Sequence, residues 1–197
     1  MPSILEQING ALADIEGLVM PSLVQIRSGR HGVGSGAVWR SDGLILTNAH
    51  VVRRGPVTVQ TNAQTEYEAH ILARDPQQDI ALVQIPAVNL PALTMGDSSQ
   101  LHAGDIVIAF GRPWGVPGAA TSGIVIGAGE DLPEWRNSPQ QWLAASLHLR
   151  PGHSGGPMVN VQGQLVGINT MMNGPDVGIA APINVVKEFL AAKWAQF

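Results

Sequence analysis

The chain has no cysteine. No disulfide can staple its fold, and the composition suits a reducing compartment as well as any other. Charge is also scarce: Asp, Glu, Lys and Arg make up 13% of residues against 45% apolar, and the net charge is −4. That balance excludes a disordered chain, and it gives no basic footprint for nucleic acid or an anionic membrane surface. No apolar run approaches the roughly 20 residues that a membrane-spanning helix needs, so no membrane insertion is expected. The first twenty residues lack a basic region and carry Glu6, Asp14 and Glu16 among apolar side chains. As written they are no secretory signal, so the literal reading is cytoplasmic, with a mature exported form as the alternative. A last absence decides chemistry: none of the six histidines follows Ser154.

What is present is punctuated. Twenty-three glycines and fourteen prolines across 197 residues suit many short strands joined by tight turns. In Pro151-Gly152-His153-Ser154-Gly155-Gly156-Pro157 a serine is ringed by glycines, which leaves its hydroxyl accessible and its backbone free to turn. Upstream, His50 closes the apolar segment Leu46–Val52, and Asp79 opens the apolar run Ile80–Val83. Asp75 lies close by, but a carboxylate leading straight into a buried strand needs a partner such as His50, which favours Asp79. The segment Gly152–Gly156 also fits the G-x-S-x-G signature of α/β-hydrolases, whose order is Ser, Asp, His. With no histidine downstream, that base cannot be supplied. The order His50, Asp79, Ser154 is that of a chymotrypsin-type triad.

The segments 32–39 (GVGSGAVW), 44–52 (LILTNAHVV), 75–83 (DPQQDIALV), 150–160 (RPGHSGGPMVN) and 164–170 (QLVGINT) together resemble an HtrA/Deg-type serine protease. The resemblance implies an all-β fold of two perpendicular six-stranded barrels with the triad between them. Peptide-binding PDZ domains normally follow in the family, and none is expected within the residues up to Phe197. The whole of 1–197 then reads as one trypsin-like protease domain: a helical arm over 1–20, a first barrel over about 21–95, a second over about 102–183, and a final helix over 184–197. Twelve strands are expected, at 23–28, 33–39, 44–48, 57–62, 66–74, 80–85, 105–110, 122–129, 141–146, 157–160, 164–170 and 177–182.

In this reading Ser154 attacks the scissile carbonyl, His50 relays the proton, and Asp79 orients the imidazole. The N–H groups of Gly152 and Ser154 are the oxyanion donors. By analogy with the family, His148, Leu149, Ile168, Asn169, Thr170 and Ile179 wall the substrate pocket. No acid stands where a trypsin binds lysine or arginine, so small or medium apolar residues are expected before the scissile bond. His148 has two readings: facing the pocket, where it would favour acidic or polar side chains, or turned into the barrel or toward solvent. The segment Asn169–Met172 can pair with an extended substrate backbone. His153 replaces the family's usual asparagine, and is read as fixing the loop by hydrogen bonds or as a second base. Arg30 and Arg150 are read as solvated or loop-bracing charges. Asp97, Asp105 and the Glu130-Asp131 pair lack metal-ligand spacing, so no metal or other cofactor is implied. The segment 127–141, with Trp135 and Arg136, interrupts the second barrel, and the resemblance implies that a loop here carries regulatory signals to the active site.

The expected partner is an unfolded or extended polypeptide cleaved by an endopeptidase, in a quality-control role. A latent or non-catalytic, chaperone-like peptide binder is the alternative. Ile4, Leu5, Ile8, Leu12, Ile15 and Val19 fall at helical spacing, which reads as a helix packed on the first barrel; the resemblance implies, as the alternative, an arm assembling a homo-oligomer such as a trimer. At the other end Asn184 is read as the cap of a helix that turns Val186, Phe189, Leu190 and Trp194 to one face.

Overall fold

A computed structural model describes residues 2–194 except 30, 31, 54, 117, 133, 134, 136 and 137. The expectations for Arg30 and Arg136, and for the side chains of Glu130 and Trp194, lie outside the described residues.

All twelve expected strands are present. The first six are β1 (Leu23–Ser28), β2 (Gly32–Arg40), β3 (Leu44–Thr47), β4 (Val57–Gln60), β5 (Glu66–Asp75) and β6 (Ile80–Gln84). They close into a barrel in the order β1-β2-β3-β6-β5-β4. The next six are β7 (Ile106–Gly111), β8 (Ala119–Ala128), β9 (Leu143–Ser146), β10 (Pro157–Val159), β11 (Leu165–Met172) and β12 (Gly178–Pro182). They form a second closed barrel, β7-β8-β9-β12-β11-β10, which repeats the topology of the first. Every pairing within both barrels is antiparallel.

Period-2 alternation explains the packing. In β6, Ala81 and Val83 join a cluster drawn from the first barrel alone, while Ile80 and Leu82 join a cluster shared with the second barrel and both helices. In β7, Val107 and Ala109 pack within the second barrel, and Ile108 and Phe110 face the shared cluster. These strands are apolar throughout because both of their faces are buried.

Helix α1 (Ile4–Val19) starts at a capping box, with Ser3 Oγ accepting from the Glu6 N–H and the Glu6 carboxylate accepting from the Ser3 N–H. Only its last turns dock, through Ile15 and Val19. Helix α2 (Ile183–Trp194) buries Val186, Phe189 and Leu190 as expected, but it begins before Asn184. The cap assigned to Asn184 is thereby corrected. A segment of the inter-barrel crossover supplies the partners instead: the Asn184 N–H donates to Ser98 Oγ at 3.1 Å, and its side-chain amide donates to Asp97 at 2.7 Å. The hydrogen bonds from Ser99 and Asn184 lower the Asp97 pKa to about 2.

Candidate active site

Between the barrels lies a cleft of about 1040 Å³, and His50, Gly152, Ser154 and Thr170 all line it. His50 sits in the turn after β3, whose four residues are fully buried and so fix where that turn begins. Asp79 ends the turn between β5 and β6 with φ +54, a left-handed backbone that aspartate tolerates better than most side chains. Its two oxygens grip one residue: Oδ1 accepts the His50 backbone N–H at 2.9 Å, and Oδ2 lies 2.6 Å from Nδ1. A carboxylate can only accept, so Nδ1 carries the proton and Nε2 is left as a base. Asp75 caps its own turn instead, accepting from the N–H groups of Gln77 and Gln78.

Ser154 stands on the opposite wall. Its Oγ donates to the Thr170 carbonyl at 3.1 Å, and among the described residues it makes no hydrogen bond to His50. The loop before it is a β-turn, closed by the His153 N–H on the Arg150 carbonyl at 2.9 Å, with Pro151 and Gly152 at its corner. Gly152 has φ +104, as the third residue of a type II turn requires. A Cβ there would come within 2.6 Å of the Arg112 carbonyl oxygen. Among the described residues the N–H groups of Gly152 and Ser154 have no hydrogen-bond partner.

His153 braces this turn. It is almost fully buried, and Nδ1 lies 3.2 Å from both the N–H and the carbonyl of Arg150, while Nε2 is buried with no partner among the described residues. Burial is the main cause that lowers its pKa and keeps the ring neutral.

The expected pocket walls separate. Leu149 and Thr170 reach the cleft, joined by Met171 and Met172. Ile168, Asn169 and Ile179 do not. Each is fully buried, with Ile168 and Ile179 in the shared core and the Asn169 amide donating to the Phe110 and Pro157 carbonyls. Their strands are covered on both faces, so no wall is left for substrate. His148 takes its outward reading, and its place among the pocket walls is corrected: it is exposed, its Nδ1 lies 3.0 Å from the Pro175 carbonyl, and it does not line the cleft.

Two residues were missed by the sequence reading. Ser35, fully buried on β2, donates to the Gly152 carbonyl at 2.7 Å and accepts the Arg112 N–H at 3.0 Å. Asn48, also fully buried, donates to the Asp79 carbonyl at 2.8 Å and to Thr170 Oγ1 at 3.1 Å. The available signal was a polar side chain inside an apolar strand segment, which has to find a partner.

Two closed barrels with this cleft between them define the chymotrypsin-like architecture. A family model described as the trypsin-like peptidase domain matches residues 34–168, and the chain belongs to that family. Its relatives are more particular, because they are HtrA-type. The chain is 36% identical to serine protease HTRA1B of Danio rerio over 96% of its own length and 43% of the relative's. It is 40% identical to a probable periplasmic serine endoprotease, DegP-like, of Marinomonas sp. (strain MWYL1), over 73% of its own length and 30% of the relative's. Among solved structures, the HtrA-type protease AlgW with a tripeptide superposes at a TM-score of 0.83 with 28% identity, covering 91% of this chain and 62% of that one. The chain therefore spans less than half the length of these two curated relatives.

Proposed function

We propose that residues 1–197 form a single protease domain and act as a serine endopeptidase on unfolded or flexible polypeptides, in a quality-control role. The two-point grip of Asp79 on His50, across the cleft from Ser154, carries the reading. Ser154 first rotates from the Thr170 carbonyl toward His50. Nε2 of His50 then takes the hydroxyl proton as Oγ bonds to the scissile carbonyl carbon. The tetrahedral oxyanion accepts hydrogen bonds from the unpaired N–H groups of Gly152 and Ser154. Its collapse breaks the C–N bond, and the amine leaves with the proton from His50. Water repeats the sequence on the acyl-enzyme and frees Ser154. Vacating the Thr170 carbonyl also frees an acceptor on β11 for an extended substrate backbone.

The relatives described as periplasmic support an exported form over the cytoplasmic reading. The apolar and exposed start of α1 supports a homo-oligomer, with a trimer as the expected form. Casein digestion across a temperature series, by wild type and Ser154→Ala, tests the catalytic reading. Wild type is expected to cut after small or medium apolar residues and to react with a fluorophosphonate, while Ser154→Ala does neither. Casein left intact by both proteins at every temperature would support the chaperone-like binder instead.

A further inference from the structure

The chain is acidic but its cleft is cationic. Against a net charge of −4, the cleft is lined by Arg53, Arg74 and Arg150, and no Asp or Glu lines it among the described residues. Among the described residues Arg53 and Arg74 donate only to backbone oxygens. Arg53 Nε reaches the His50 carbonyl at 3.2 Å, and Arg74 reaches the carbonyls of Ala49 at 2.7 Å and Arg53 at 3.2 Å. Carbonyls satisfy N–H groups without cancelling the charge. Of the first barrel's carboxylates, Glu66 pairs with Arg27 and Asp42 with Arg40, and Glu68 on β5 does not line the cleft. Asp79 is committed to His50 and Asp75 to its own turn. Arg53 is exposed three residues beyond His50, and Arg150 is exposed on the facing wall, two residues before Gly152. Any segment presented to Ser154 runs between them.

We propose that this cleft selects polypeptide segments bearing aspartate or glutamate within about three residues of the scissile bond, the reach of both walls along an extended chain. The inference rests on the peptidase reading above and names the substrate class of the same site. Exposed ion pairs are weak, so each contributes about threefold, and two acting together about tenfold. The preference is screened by salt.

Three fluorogenic peptides test it, sharing a core with valine before the scissile bond and flanked by glutamate, glutamine or lysine. Wild type is expected to give kcat/KM in the order glutamate, glutamine, lysine, spanning about tenfold at low ionic strength and shrinking in high salt. Arg53→Glu/Arg150→Glu is expected to reverse that order. Binding of the same peptides to Ser154→Ala, followed by fluorescence anisotropy, reads selection without catalysis. Cleavage of all three peptides at equal rates overturns the inference and leaves the peptidase reading standing. Tighter binding of the glutamate peptide to Ser154→Ala, with no cleavage by wild type, upholds the inference and overturns the catalytic reading. Equal binding with no cleavage overturns both.

Discussion

Ser35 belongs to the first barrel, yet both of its side-chain hydrogen bonds end on loops of the second. Its backbone adds a third tie, the Ser35 N–H to the Ser154 carbonyl at 2.8 Å. Holding the Gly152 carbonyl fixes the peptide plane between Gly152 and His153, and so restrains the turn from which the Gly152 N–H projects. Gly155 is pressed into the same corner, because a Cβ there would collide with the Ser35 carbonyl and Thr47. Losing an oxyanion donor outright costs about 10²- to 10³-fold in kcat. Loosening its mount costs less. Ser35→Ala is therefore expected to lower kcat about tenfold with KM nearly unchanged, since the side chain touches the loop and not the substrate. A variant that loses thermal stability but keeps its kcat would reduce Ser35 to a packing residue.

At the scale of elements, α1 divides into two halves along one apolar stripe. Ile15 and Val19 are buried, whereas Ile4 is 73%, Leu5 70% and Ile8 51% exposed. A monomer gains nothing from the outer half. Ile15→Ala is expected to cost about 2–4 kcal/mol in chemical denaturation, as large-to-small changes in a core do. Replacing Ile4, Leu5 and Ile8 together by glutamine should leave the monomer's stability within about 0.5 kcal/mol. It should also shift the mass in light scattering from oligomer to monomer. A wild type that is monomeric at every concentration would remove the oligomerisation role from α1. The cap of α2 shows the same dependence on neighbours, because Ser98 and Asp97 bind Asn184 from 86 and 87 positions earlier in the chain. No reading of the helix sequence alone finds them.

On the scale of the molecule, the largest apolar cluster belongs to neither barrel. It joins Leu46 and Ile80 of the first, Phe110 and Ile168 of the second, Val19 of α1 and Val186 of α2. Polar ties cross the same boundary near Asp79, where Gln78 donates to the Pro139 carbonyl at 2.9 Å and Gln140 to the Gln77 carbonyl at 2.6 Å. Segment 127–141, read as a regulatory loop, thus bonds the turn that carries Asp79. Barrels that share a core this way lose it together. Calorimetry should record a single transition whose calorimetric and van't Hoff enthalpies agree. Two separable transitions would mean that the barrels fold independently and the shared core contributes little.

The strands and the order of the chemical groups were decided by the sequence itself, because both are local. Period-2 alternation and continuous apolar runs marked twelve strands whose ends moved by only a few residues, as in β8, which begins at Ala119 rather than 122. The Gly-ringed serine and the histidine and aspartate beside apolar runs were visible without a fold. What faces what was decided only in three dimensions. Strands apolar on both faces carry no mark of which face meets substrate, and the family analogy that makes Ile168 and Ile179 pocket walls fails because barrel closure buries them. His148 lies outward, its Nδ1 3.0 Å from the carbonyl of Pro175, 27 positions away. Ser35 and Gly152 lie 117 positions apart, and only packing one barrel against the other brings them within a hydrogen bond. Side-chain periodicity is a property of the chain, but the direction of a polar side chain depends on partners that only tertiary contact supplies.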